Sequence, residues 1–141
     1  MEATILLSPD SRMTAGVLLL AIVAVESGGL FMLRVVRGKE PSTGIQQSFF
    51  RAGHAHAGVL VTLSLVVQLF ADPAAPTGLL AIVARNGIPL AAILMPAGFF
   101  LSVWGRGVTA PNRLIWLVYV GALSLAAGAI ALGVALLGSS T

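Results

Sequence analysis

Long apolar runs alternate with short polar segments along the whole chain. Four such runs predict helices over residues 13–33, 46–70, 77–104 and 112–138. About 20 helical residues, at 1.5 Å each, cross the roughly 30 Å hydrocarbon core of a bilayer. The pattern therefore predicts an all-α integral membrane protein in which residues 1–141 form one domain, a small bundle of four transmembrane helices.

Capping residues and prolines mark the ends of three of these runs. Ser11 or Thr14 can cap the first helix, because serine and threonine satisfy free N–H groups at helix starts. Pro73 and Pro76 are expected to end the second helix, since proline lacks the N–H group that a helix needs. Asn112 supplies a start signal for the fourth helix.

The third run allows two interpretations. Residues 77–104 are 28 residues, or about 42 Å of helix, which is longer than one membrane crossing requires. The run forms one long helix from Thr77, weakened at Gly87, Pro89 and Pro96, or its membrane span begins only at Gly87 with Asn86 as the cap.

The composition supports the membrane assignment and excludes several kinds of chemistry. Apolar residues make up 57% of the chain and charged residues 9%, against about 25% charged residues in a soluble domain. A soluble protein with so few charges would precipitate, so the lipid bilayer is the expected solvent. The chain has no cysteine, which excludes disulfides, thiolate metal sites and cysteine nucleophiles.

The basic residues predict an orientation in the cytoplasmic membrane. Six of the eight flank the first or third connection, and the other two, Arg12 and Arg85, lie toward the opposite side. The six are Arg34, Arg37, Lys39, Arg51, Arg106 and Arg113. Cytoplasmic loops are enriched in lysine and arginine, so we expect these connections inside and both termini outside. Because this placement explains the basic residues, they do not indicate nucleic-acid binding.

A candidate site comes from ionisable residues inside the predicted spans. Glu26 lies in the first span, and both histidines of the chain, His54 and His56, lie near the start of the second. Such residues are costly at membrane depth and are functional hypotheses by default. A short loop makes these two helices antiparallel neighbours, so Glu26 and one histidine are expected at the same level and within reach of each other. Arg51 and Arg85 are further candidates, and Arg85 either anchors the helix at the interface or reaches toward Glu26.

The His-x-His spacing limits what the histidines can bind. Side chains two residues apart on a helix diverge by about 200°, so His54 and His56 cannot hold one metal ion from a regular helix. We expect His54 to face the bundle interior, because Gly58 and Thr62 share its face. A b-type haem or a divalent metal bound by these histidines would need a second copy of the chain. The alternative is that both rings pack between helices with ordinary hydrogen bonds.

Stripes of small residues predict close helix packing. In the fourth run, small side chains recur at steps of three and four at Gly121, Ser124, Gly128, Ala131, Ala135 and Gly138. Such a stripe lets another backbone approach closely, and the expected partner is the first helix or a second copy. Ala21, Ala24 and Gly28 form a shorter stripe in the first run.

Three functions fit these observations. The first is binding of a cofactor or ligand at the intramembrane His/Glu site, with an association to redox chemistry. The second is handling of protons or ions by the same residues in a transporter or channel. The third is a non-enzymatic accessory role, either in a homo-oligomer or as a subunit of a larger membrane complex. The residues do not specify a substrate or a reaction.

Overall fold

The computed structural model describes residues 7–139, which are helical apart from their connections. The helices are α1 (Pro9–Val36), α2 (Gly44–Ala74), α3 (Gly78–Ser102) and α4 (Trp116–Gly138), and a short 3-10 turn, Arg113–Ile115, precedes α4. Each of the four helices is long and apolar enough to cross a membrane. The prediction of an all-helical chain with four membrane-length helices is therefore confirmed, and the predicted position of the termini concerns residues outside the described part.

The helices α1 and α2 begin earlier than predicted. The cap of α1 is Ser8, whose side chain accepts a hydrogen bond from the Ser11 backbone N–H, and Pro9 occupies the first helical position. Both Ser11 and Thr14, the predicted caps, lie inside the helix. Proline is favourable at this position because its missing N–H would have had no partner there. At the start of α2, Thr43 and Gln46 cap each other reciprocally.

Proline interrupts the helices less than expected. Helix α2 continues through Pro73 to Ala74 and ends at Ala75, which adopts a left-handed conformation with φ of 42°. Helix α3 begins at Gly78, so the longer of the two alternatives for this run is correct, and both of its prolines lie inside the helix. Pro73 lies at the very end of α2, where Ala74 is the one helical residue that follows it.

Helix α2 is the centre of the arrangement. It packs against α1, α3 and α4, and α3 and α4 share the most extensive contact. Within residues 7–139, the backbone of α1 comes close to that of α2 alone, and α1 meets α3 through side chains. As a consequence, most side chains of α1 are exposed, and a groove separates α1 from α3.

The small-residue stripe of α4 packs against α3, not against α1 as expected. A Cβ atom on Gly87 would lie 2.7 Å from the Gly128 Cα, and one on Gly128 would lie 2.9 Å from the Ile88 N. The Ser124 hydroxyl also donates a 2.7 Å hydrogen bond to the Gly87 carbonyl. The prediction overlooked that α3 carries its own small residues, Ala84, Gly87 and Ala91, on the face that meets α4.

Both basic connections lie at the same end of the bundle. The Gln46 side-chain amide, in the first turn of α2, donates hydrogen bonds to the Val103 and Gly105 carbonyls beyond α3. Thr43 also donates to the Val108 carbonyl. These bonds fasten the α1–α2 connection to the α3–α4 connection.

Candidate functional site

The His54 side chain leaves α2 toward α1 and covers two adjacent glycines. A Cβ atom on Gly28 would lie 3.4 Å from the His54 Nδ1, and one on Gly29 would lie 3.6 Å from its Nε2. Both values are at or near the lower limit of ordinary van der Waals contact. The pair of glycines therefore makes room for the imidazole ring where α1 and α2 cross.

The second histidine contacts a different helix. The His56 Nδ1 is 2.7 Å from the Ala52 carbonyl oxygen, and its ring centroid is 5.0 Å from that of Phe99 on α3. The two rings thus diverge as the His-x-His spacing predicted. His56 has a backbone partner, whereas His54 forms no hydrogen bond to any residue between 7 and 139.

A cavity of about 420 Å³ lies between α1 and α3, with His54 at its floor on α2. Its polar side chains are His54 and Thr14, and the other lining residues are apolar or glycine. The lining residues of α1 run from Thr14 to Gly28, so the cavity extends about 21 Å along this helix. Ala21 and Ala24 of the predicted α1 stripe line this cavity rather than a close helix contact.

A smaller cavity of about 200 Å³ lies on the other side of the α1–α2 contact. Glu26, Thr62 and His54 contribute its polar side chains. His54, Val25 and Val61 line both cavities and therefore stand between them. Glu26 makes no ion pair within 4 Å to either histidine in the described part of the chain, so their approach through a bridging group stays a prediction.

Arg85 bonds to residues near the α2–α3 connection and the start of α1, and it does not reach Glu26. Its guanidinium forms a 2.9 Å ion pair with Asp72 and donates hydrogen bonds to the hydroxyls of Ser8 and Ser11. This arrangement agrees with the anchoring role of Arg85. It also gives a side-chain link between α3 and α1, at the end of the groove near the α2–α3 connection.

The sequence interpretation missed Asp72 as a partner of Arg85. The carboxylate of Asp72 accepts hydrogen bonds from the Ser8 N–H at 2.8 Å and from the Ser8 hydroxyl at 2.9 Å. A signal was available, because Asp72 and Arg85 lie on either side of the short connection between α2 and α3. Opposite charges so placed are expected to pair.

Three phenylalanine rings meet one turn before His54, and one of them, Phe100, lines the large cavity. The Phe50 ring lies 5.4 Å from Phe31 on α1 and 5.8 Å from Phe100 on α3, measured between centroids. A Cβ on Gly53 would lie only 2.9 Å from the Phe100 ring, so this glycine lets α3 approach α2. The cavity thus runs from the region of His54 and Phe100 to Thr14, near the start of α1.

The last two predictions concern Arg51 and metal ligands. Arg51 is exposed on α2 and has no side-chain partner among residues 7–139. No group of three or more histidine, aspartate or glutamate side chains that could hold a metal ion occurs in the same range. A zinc site requires at least three protein ligands, so His54 and Glu26 alone are too few.

Comparison of this chain with protein-family models, with curated proteins and with solved structures found no match.

Proposed function

We propose that this chain is a multi-pass protein of the cytoplasmic membrane that binds a ligand or cofactor at an intramembrane site made by His54 and Glu26. The observation that carries the proposal is the unpaired His54 ring, which lines two cavities and forms no hydrogen bond within residues 7–139. An unpaired polar group inside a membrane is costly. A ligand with one hydrogen-bonding group would remove that cost.

The lining of the larger cavity indicates the class of ligand. Its walls are apolar except for His54 and Thr14, which favours a mostly apolar molecule whose single polar group contacts the imidazole. No lysine or arginine lines the cavity, so the polar group is expected to be neutral. A b-type haem or a metal ion would need further ligands from a second copy, because His56 lies against Phe99.

Purification from native membranes tests the proposal. Small molecules extracted from the wild type, His54→Gln and His56→Gln are compared by mass spectrometry, and an absorption spectrum identifies haem or a redox chromophore. We expect a compound that co-purifies with the wild type and with His56→Gln. In His54→Gln its affinity should fall roughly tenfold, the effect of losing about one hydrogen bond. Equal yields from all three proteins would contradict the proposal.

Proton handling is a second candidate, favoured by the cavity that Glu26 and His54 share. Both groups can carry protons, and Thr62 adds a hydroxyl to the same cavity. The measurement is proton uptake by vesicles that contain the purified protein and a pH-sensitive dye. We expect uptake that Glu26→Gln abolishes and Glu40→Gln, a change in the α1–α2 connection, does not.

A further inference from the structure

Part of the surface of α1 and α2 is covered by neither α3 nor α4. Its exposed residues are Val23, Glu26 and Leu30 of α1, with Arg51, Ala55, Val59 and Thr62 of α2. We refer to these seven residues as the outer face. It borders the small cavity of Glu26, whose lining residues all belong to α1 and α2. The outer face therefore lies on the side of the α1–α2 contact away from α3.

The outer face carries two opposite charges. Glu26 and Arg51 are exposed, and neither has a side-chain partner within residues 7–139. Counted from the helix ends at Val36 and Gly44, Glu26 lies about 15 Å and Arg51 about 10 Å from the same end of the bundle. Ionised groups that face lipid at such depths are costly unless they are paired.

From this charge complementarity we infer that two copies of the chain associate through their outer faces about a two-fold axis along the membrane normal. Such an axis preserves depth and sets α1 of each copy opposite α2 of the other. Glu26 of one copy then faces Arg51 of the second, and the same pair forms a second time. The difference in depth, about 5 Å, is within the reach of an arginine side chain.

Small residues on α2 allow the required close approach. Ala55, Gly58 and Thr62 follow Arg51 at steps of three or four residues, so they lie along one stripe of the helix. The pairing also completes the candidate site, because the second copy supplies a positive charge beside the Glu26 carboxylate. The inferred dimer does not depend on the identity of a ligand.

Disulfide cross-linking tests the geometry of the inferred dimer. Because the native chain has no cysteine, only the introduced cysteines can form a disulfide. Val23 and Val59, each 65% exposed, are expected to meet across the interface. Copies with Val23→Cys and one affinity tag are mixed in vesicles with copies that carry Val59→Cys and another tag. We expect a linked dimer of both tags after mild oxidation. The control pairs Val23→Cys with Val134→Cys, which lies on the exposed face of α4. A yield of linked dimer no higher than in this control would overturn the inference.

The dimer dissociation constant tests the charge pairs. It is measured in vesicles from the energy transfer between purified copies that carry donor and acceptor labels. Glu26→Gln and Arg51→Gln should each weaken the dimer by at least about thirtyfold, because each leaves a desolvated charge unpaired. The double exchange Glu26→Arg with Arg51→Glu should restore it, and the loop variant Lys39→Gln should leave it unchanged. A monomeric wild type, or a double exchange as weak as the single variants, would overturn the inference.

Discussion

At the scale of single residues, neighbouring glycines and unpaired polar groups define the candidate site. Gly28 and Gly29 leave the space that the His54 ring occupies, and no side chain of the described range satisfies that ring. His56, two residues along, has a backbone acceptor and an aromatic neighbour. Among the described residues, His56 thus has partners and His54 forms no hydrogen bond, which is why we propose His54 as the ligand contact.

The polar cluster of Ser8, Asp72 and Arg85 leads to a prediction about stability. Asp72 accepts hydrogen bonds from Ser8 and forms an ion pair with Arg85. Asp72→Asn should lower the free energy of unfolding by about 1.5–3 kcal/mol, the range for hydrogen bonds to a charged group. Unfolding in mixed detergent micelles measures the loss. Asp10→Asn, an exposed change in the first turn of α1, is the control, and equal losses would mean that the cluster does not hold α1 in place.

Sequence reasoning predicted part of the site and missed part of it. The divergence of His54 and His56 followed from helix geometry alone, and the common level of Glu26 and His54 followed from a short loop. The pairing of Asp72 with Arg85 was missed because Pro73 suggested that the helix had already ended. Which helix a histidine contacts depends on helix packing, which periodicity along one chain does not determine.

At the scale of elements, the tightest contact is the crossing of α3 and α4. The stripe of small residues on α4 was recognised from its spacing, but its partner was not. The small residues of α3 lie close to Pro89 and Pro96 in the sequence. These prolines were interpreted as sites of helix kinks, and the small residues beside them were not recognised as a packing surface. Close packing needs small residues on both helices, so a search for matched stripes would have found α3.

Two alanine substitutions in α4 test this crossing. In Gly128→Ala the new methyl group would lie 2.9 Å from the Ile88 N, so the helices must separate at a cost of about 1–3 kcal/mol. In Gly133→Ala the methyl group meets nothing within 4 Å, so stability should be unchanged or slightly raised. Thermal unfolding in detergent measures both variants. A Gly128→Ala protein as stable as Gly133→Ala would show that this crossing is looser than described.

At the scale of the whole molecule, the two basic connections share one end and the α2–α3 turn occupies the other. Gln46 joins the basic connections through the Val103 and Gly105 carbonyls. The excess of basic residues at this end favours a cytoplasmic position for it, and the positively charged side of a membrane protein faces inward as a rule.

Accessibility of single cysteines in intact cells tests the orientation. Thr77→Cys, exposed in the α2–α3 turn, should react with a membrane-impermeant maleimide in intact cells. Lys39→Cys, exposed in the α1–α2 connection, should react only after the membrane is permeabilised. The reverse pattern would invert the orientation and would place the basic connections outside.

We propose that His54 contacts a bound ligand inside the membrane. This contact can be tested by a cryo-electron microscopy map of the protein, purified from native membranes into a lipid nanodisc. The map should show non-protein density in the cavity between α1 and α3, within about 3.2 Å of a His54 ring nitrogen. A map in which His54 donates to a protein group, with only acyl chains in the cavity and no contact to the ring, would contradict the claim.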